Sequence, residues 1–346
     1  MQSGKSGDVA VRTHPLLQPI QALHRKLRDT ILDACECGAS DELAGVAEDA
    51  AGDTIFVIDK IGEALLVQEL EQTAADCGGV VLTAEGIAQG QLVLPAGYDE
   101  ERCRYRVIMD PIDGTRGLMY QKRPAWILTG VAPNRGAATR LADIELSVQT
   151  EIPLVKQHLA DELWASRGGG AHAERLDRTC GKRQRLTLQP SRATSIEQGF
   201  ATVSRFFPGV RDALAGIDDE IAHWLLGPAP AGKALCFEDQ YLSTGGQLYE
   251  LMAGHDRFIA DVRPLMAPLW RARQMPLGLC CHPYDICTAL IAEELGVVVR
   301  DAGGGPLDYP LNLDANVTWV GYANPMLAEL LEPLLQRALN DRGLLP

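Results

Sequence analysis

A two-part α+β and α/β fold is what this chain predicts, and three observations carry the prediction. AWILTGVAP, IELSVQTEIP and ELWAS are three strand-like pieces separated by turn residues, as in antiparallel β-structure. Beyond about residue 190, short strands alternate with helices, as in a layered α/β arrangement. A length of 346 residues is enough for one large domain or two packed halves with a substantial core. The expected division is a flexible tail over 1–14, an α+β half over 15–190 and an α/β half over 191–346.

Taken in order, Leu16, Ile20, Leu23, Leu27, Ile31 and Ala34 recur at helical spacing, which predicts an amphipathic helix with a continuation to about Ala51. TIFVID, 54–59, reads as a short extended segment, and Lys60 to Gln72 as a helix. VVLTAE, 80–85, is a β-branched run that ends in a carboxylate. The polar, Gly- and Pro-bearing stretch 88–103 predicts a loop or hairpin, and RYRVIMD a buried strand. AWILTGVAP, IELSVQTEIP and ELWAS are strand-like. The basic, glycine-rich segment 167–186 predicts an exposed hairpin or loop. In the second half, ATVS, RFIADV, VVVRD and VTWVGYA predict strands. Helices are expected over Val210–Leu226, Gly246–Ala253, Tyr284–Leu295 and Met326–Leu339.

Charge narrows the function classes. A net charge of −14 repels nucleic acid and anionic membranes. It repels a phosphorylated substrate too, unless cations sit in the site. Nine scattered cysteines without a CxxC pair suggest reduced thiols rather than zinc ligands, which fits a cytoplasmic location. The opening residues lack the apolar core of a signal peptide, and no stretch reaches the roughly 20 apolar residues of a membrane span. None of the seven histidines is assigned a role.

Asp59, Glu85, Asp110 and Asp113 each follow or close a strand-like run, so their side chains can converge at one sheet edge. Singly, each reads as a cap or turn residue. VIMDPIDGTRG, 107–117, goes further. Pro111 keeps Asp110 out of the helical region, Asp113-Gly114 makes a tight turn, and Thr115 with Arg116 can open a helix. The carboxylates then stand beside backbone N–H groups at a helix N-terminus, which is an anion site. Carboxylates and an anion together call for a hard cation between them, and magnesium suits oxygen ligands completed by phosphate. Phosphatases of the haloacid dehalogenase type carry an Asp-x-Asp pair instead. The extra residue in Asp110-Pro111-Ile112-Asp113 sets this chain apart from them.

DPIDGT after an apolar strand resembles the central motif of the inositol monophosphatase family, in the superfamily of fructose-1,6-bisphosphatase and the nucleotide 3′-phosphatases. HPYDICTALIAEELGVVVRDAGG around Asp285, VVLTAEG with Glu85 and VIDKIGEALL with Asp59 and Lys60 match three further family elements in family order. The resemblance implies a layered αβαβα sandwich of the sugar phosphatase type. It implies that Glu85, Asp110, Asp113, Asp285 and the Ile112 carbonyl hold two or three magnesium ions, manganese being an acceptable substitute. Gly114 and Thr115 would bind phosphate, and Asp261 a substrate hydroxyl. Thr115 linked to Asp59, together with Glu85, would serve catalysis through a metal-activated water. The implied activity is hydrolysis of a small polyol or sugar phosphate, with inositol monophosphate as the family default. The implied protein is a lithium-sensitive homodimer. A 3′(2′),5′-bisphosphate nucleotidase, a fructose-1,6-bisphosphatase and a noncatalytic phosphate sensor are the alternatives.

Three departures stand out. Gly86 replaces a second Glu that many members carry, so a weaker metal site or one with fewer ions is expected. Tyr284 replaces the Trp before the late Asp. The long stretch Val262–Tyr284 precedes that Asp and reads first as a surface excursion; the functional alternative is that Arg263, Arg271 or Arg273 reaches a substrate anion, or that Trp270 and Met266 form a lid or subunit contact.

Overall fold

The structure is a computed structural model that describes residues 14–37, 46–50, 53–87 and 90–345, and side chains over 14–36, 66–87 and 90–345. The predicted tail therefore lies almost wholly outside the described residues. Among them, no helix is long and apolar enough to cross a membrane.

Helix α1 (Leu17–Cys37) and helix α2 (Val57–Cys77) pack on each other. Leu16, Ile20, Leu23, Leu27 and Ile31 are all buried, as the helical spacing requires. Of the predicted continuation to Ala51, the described residues Val46–Ala50 are not helical. Strand β1 (Val46–Ala50) instead pairs antiparallel with β2 (Asp53–Phe56), so cross-strand pairing overrides local periodicity. TIFVID is also divided, because the chain turns helical at Val57 and Asp59 lies in the first turns of α2 rather than at a strand end.

An eight-stranded sheet follows. Its strands are β3 (Val80–Ala84), β4 (Gln91–Leu94), β5 (Tyr105–Asp113), β6 (Ala125–Pro133), β7 (Leu146–Ile152), β8 (Leu159–Ser166), β9 (Ala171–Asp177) and β10 (Lys182–Leu186). Their spatial order is β10-β9-β8-β7-β6-β5-β3-β4. All neighbours are antiparallel except β3 and β5. Both faces are covered. Val107, Met109, Ile127 and Val148 pack toward α1 and α2, while Ile108, Trp126 and Leu128 belong to the larger core that reaches into the second half.

The second half adds a four-stranded sheet in the order β11 (Phe200–Val203), β12 (Asp256–Asp261), β14 (Trp319–Tyr322), β13 (Val298–Arg300). Only β11 and β12 run parallel, so this sheet is mixed. The short helix α3 (Thr115–Met119) follows β5, and helix α4 (Arg211–Leu226) comes before helix α5 (Thr244–Met252) in the chain. The short helices α6 (Ala267–Ala272), α7 (Pro283–Ile286) and α8 (Ala289–Glu294) precede the last helix, α9 (Pro325–Asn340). The expected helix Tyr284–Leu295 is thus two short helices with a break at Cys287–Thr288. Helices α5 and α8 touch both sheets, whereas α4 and α9 cover the far side of the small one. The layers are therefore helix, sheet, helix, sheet, helix, the sandwich expected from the resemblance.

Candidate active site

Two features of β5 build the site. Its parallel register with β3 sets Ala84 opposite Met109, so Glu85 and Asp110 leave the sheet at the same edge. Against β6, Asp110 pairs with Leu128 and Asp113 with Trp126, three residues on one strand matching two on the other. That is a bulge, with the extra residue inside Pro111–Ile112. Residues i and i+3 of a regular strand face opposite sides. The bulge restores parity, so Asp110 and Asp113 share the face that looks toward the middle helix layer. Ile112 turns to the opposite core with Met109.

Helix α7 contacts β5 and β6 and brings Asp285 to this edge. Carboxylate oxygens of Asp110, Asp113 and Asp285 all lie within 4.8 Å of one another. They line one cleft of about 90 Å³ with Glu85, Gly114, Thr115 and Tyr284. Gly114 has φ +96°, a left-handed conformation that an L side chain rarely adopts, and a Cβ there would stand 3.0 Å from Ser243 Cβ. Thr115 Oγ1 donates to the Ile112 carbonyl at 2.8 Å. Gly86 also has positive φ, +85°, so the turn after β3 favours glycine where a second Glu is common.

Each carboxylate is held by the main chain. Asp110 Oδ1 accepts from Ile112 N at 2.9 Å, and Asp285 Oδ2 from His282 N at 2.6 Å. Asp113 is anchored by the N-terminus of α5, for Oδ2 accepts from Ser243 Oγ at 2.7 Å and Gly245 N at 2.6 Å. Thr244 N adds a bond to Oδ1 at 3.3 Å. Burial pushes the Asp110 carboxyl well above the usual range, and the charges of Glu85, Asp113 and Asp285 push the same way. Burial likewise raises Asp285 well above its ordinary value. Asp113 rises to about 6, because burial outweighs its hydrogen bonds from Ser243, Gly245 and Thr244.

Glu85, Asp110, Ile112, Asp113, Gly114, Thr115 and Asp285 thus share one cleft, while the Asp59 side chain lies outside the described residues. Asp261 is placed otherwise than expected. It is fully buried and does not line the cleft, because Arg263 Nε (2.8 Å) and Nη2 (2.6 Å) occupy both its oxygens. Arg263 itself lines the cleft, its guanidinium 4.8 Å from the Phe206 ring. Of the other residues in that long stretch, Arg273 pairs with Asp212 at the surface. Met266 and Trp270 are buried in the core, which removes them as a lid or subunit contact. Sequence reasoning missed Ser243 and the α5 N-terminus. The pattern Ser243-Thr244-Gly245-Gly246 before an apolar helix was a legible capping signal, but its partner lies 130 residues away.

No family model matches the sequence, and no curated protein matches it either. Solved structures do match by shape. The extragenic suppressor protein suhB of Bartonella henselae superposes with a TM-score of 0.64 at 14% identity, over 94% of this chain and 99% of that one. A fructose-1,6-bisphosphatase of Leishmania major gives 0.62 at 14% identity, over 92% and 93%. An IMPase of Thermotoga maritima gives 0.60 at 15% identity, over 95% and 99%. Each match spans more than nine tenths of this chain, and the chain therefore shares the fold of these solved proteins, a fructose-1,6-bisphosphatase and an IMPase among them.

Proposed function

We propose that this chain is a metal-dependent phosphomonoesterase acting on a small phosphorylated metabolite, a polyol or sugar phosphate. The observation that carries the reading is the convergence of Asp110, Asp113 and Asp285 within 4.8 Å beside Gly114 and Thr115. The donor set fits a hard divalent cation. It is all oxygen, mostly buried, and its carboxyls are held above their usual range by burial and mutual repulsion that a cation would relieve. Asp110, Asp113, Asp285, Glu85 and the Ile112 carbonyl are the proposed ligands of magnesium. Bound there, it would neutralise phosphoryl oxygens and make water acidic.

The residues of the chain supply the rest. Thr115, whose hydroxyl donates to Ile112 O at 2.8 Å, is proposed to orient the attacking water. Glu85 at the cleft wall is a proposed proton acceptor, and Asp59 is proposed as a second on the family resemblance alone. Backbone N–H groups of Gly114 and Thr115 are the proposed phosphate donors. The homodimer, which rests on the family resemblance, and the cytoplasmic location, which rests on the scattered cysteines, belong to the same proposal.

The test is phosphate release across inositol, sugar and nucleotide phosphates with magnesium, and again after EDTA. Activity restored by magnesium, and lost in Asp110→Asn, is the expected result. Turnover in EDTA at the magnesium rate would sink the reading.

A further inference from the structure

Strand β7 carries two polar side chains that the proposed chemistry does not use. Ser147 and Gln149 are fully buried, and being two residues apart they point to the same face of the sheet. Across β6, Gln149 stands opposite Leu128, and Leu128 stands opposite Asp110. That row puts Gln149 on the face of Asp110 and Asp113, two strands from the cleft and looking into the middle helix layer.

There its amide joins two helical elements. Gln149 Nε2 donates to the Gly245 carbonyl at 2.8 Å, and the N–H of that same glycine donates to Asp113 Oδ2 at 2.6 Å. Gln149 Oε1 accepts from Thr288 Oγ1 at 2.9 Å, and Thr288 lies in the break between α7 and α8, just beyond Asp285. Ser147 Oγ holds the other residue of the break, donating to the Cys287 carbonyl at 2.9 Å. Thr288 is fully buried too. Gly245 leaves no space for a side chain, since a Cβ would stand 2.5 Å from Leu128 Cδ2 and 3.0 Å from Asp113 Oδ2. The start of α5 is thus pressed onto the sheet where Gln149 and Asp113 both grip it.

A buried glutamine needs partners merely to satisfy its amide. These two partners do more, because one anchors Asp113 and the other lies in the turn that presents Asp285. Both aspartates belong to the group whose oxygens lie within 4.8 Å of one another. We infer that Gln149 is a positioning residue for the proposed metal site. It fixes the separation of Asp285 from Asp113, and so favours a small ion of strict geometry over a larger, more tolerant one. The inference rests on the metal-dependent reading of the cleft. Magnesium demands near-ideal octahedral oxygens, whereas calcium accepts wider and less regular arrangements. Loosening this crossbar should therefore weaken magnesium more than calcium.

Calorimetry of the full chain with magnesium alone and with calcium alone tests it, on the wild type, Gln149→Leu, Thr288→Val and Thr288→Ser. Gln149→Leu removes both bonds, and Thr288→Val removes one with little change of shape. In Gln149→Leu and in Thr288→Val the magnesium Kd is expected to rise about tenfold or more, as when a partner behind a metal ligand is lost, and the calcium Kd by clearly less. Thr288→Ser keeps the hydroxyl and should hold the wild-type ratio of the two affinities. Gln149→Leu/Thr288→Val should weaken magnesium no further than Gln149→Leu, as for two ends of one link. Magnesium affinity that falls no more than calcium affinity overturns the inference, whatever the urea midpoint does, because a glutamine that only stabilises the core would not change the ratio. Thr288→Val decides the matter if Gln149→Leu does not fold. Wild-type binding that the variants leave unchanged sinks this inference alone. Absence of magnesium binding by the wild type sinks the metal reading and this inference with it.

Discussion

Asp110 and Asp113 carry unlike burdens although one motif supplies both. Asp113 accepts three hydrogen bonds from the start of α5, whereas Asp110 accepts one from its own loop. Asp110 is the more crowded by charge, facing Glu85, Asp113 and Asp285. A carboxyl whose folded pKa is raised favours its neutral form in the fold, so its ionisation at neutral pH costs stability. An amide mimics that neutral form and still accepts from Ile112 N. Asp110→Asn is therefore expected to raise the melting temperature in EDTA at pH 8 by a few degrees while abolishing phosphate release. A lowered melting temperature would show that burial and repulsion of the charge do not govern stability at this position.

At the level of elements, the bulge and one helix cap decide the site. The bulge sets both aspartates on one face, and the cap locks Asp113 there. Ser243 Oγ donates to Asp113 and accepts from Gly246 N at 2.9 Å, so one hydroxyl ties β5 to α5. Ser243→Ala should cost about 1 kcal/mol, as loss of an N-cap does. It should also lower kcat, since Asp113 loses an anchor. Urea denaturation and steady-state kinetics on the same preparation check both. A stability loss with kcat intact would mean that Gly245 and Thr244 suffice to hold the carboxylate. The motif was legible because its parts are adjacent in sequence. The bulge could not be read, because a bulge exists only against a partner strand, here β6.

Over the whole molecule, buried titratable groups set how stability depends on pH. Asp256, at the start of β12, is raised to about 7 by burial, with Glu250 and Asp239 adding repulsion. Its contribution is full below the ordinary value of 3.8 and is lost as pH rises through about 7. His24 is fully buried between Thr129 Oγ1 (2.7 Å) and Thr150 Oγ1 (3.0 Å), and burial lowers it to about 3. Its contribution has the opposite sense, being full above 6.5 and lost as pH falls toward about 3. Stability should therefore decline on both sides of a mildly acidic optimum. Glu151, raised to about 7, and the cleft carboxyls contribute in the same sense, so Asp256→Asn should make the neutral limb between pH 5 and 8 shallower rather than abolish it, as read from urea midpoints. An unchanged neutral limb would remove Asp256 as one of its sources.

The sequence by itself determined most of the strands and helices and the local chemistry of 107–117. Periodicity, turn residues and a proline act within a few positions, and Asp110, Asp113, Gly114 and Thr115 are neighbours in the chain. Its reading failed where local signals compete with partners, as at Val46–Ala50, which pairs instead of continuing a helix. Only the tertiary structure decided that Asp285 on α7 and Ser243 before α5 meet the β5 bulge. It alone showed that Arg263 takes up Asp261, so that the cation rather than the acid stands at the cleft. It also set Gln149 between Gly245 and Thr288. Such convergence is fixed by packing two sheets around a shared helix layer, and that packing energy belongs to contacts between residues far apart in the chain.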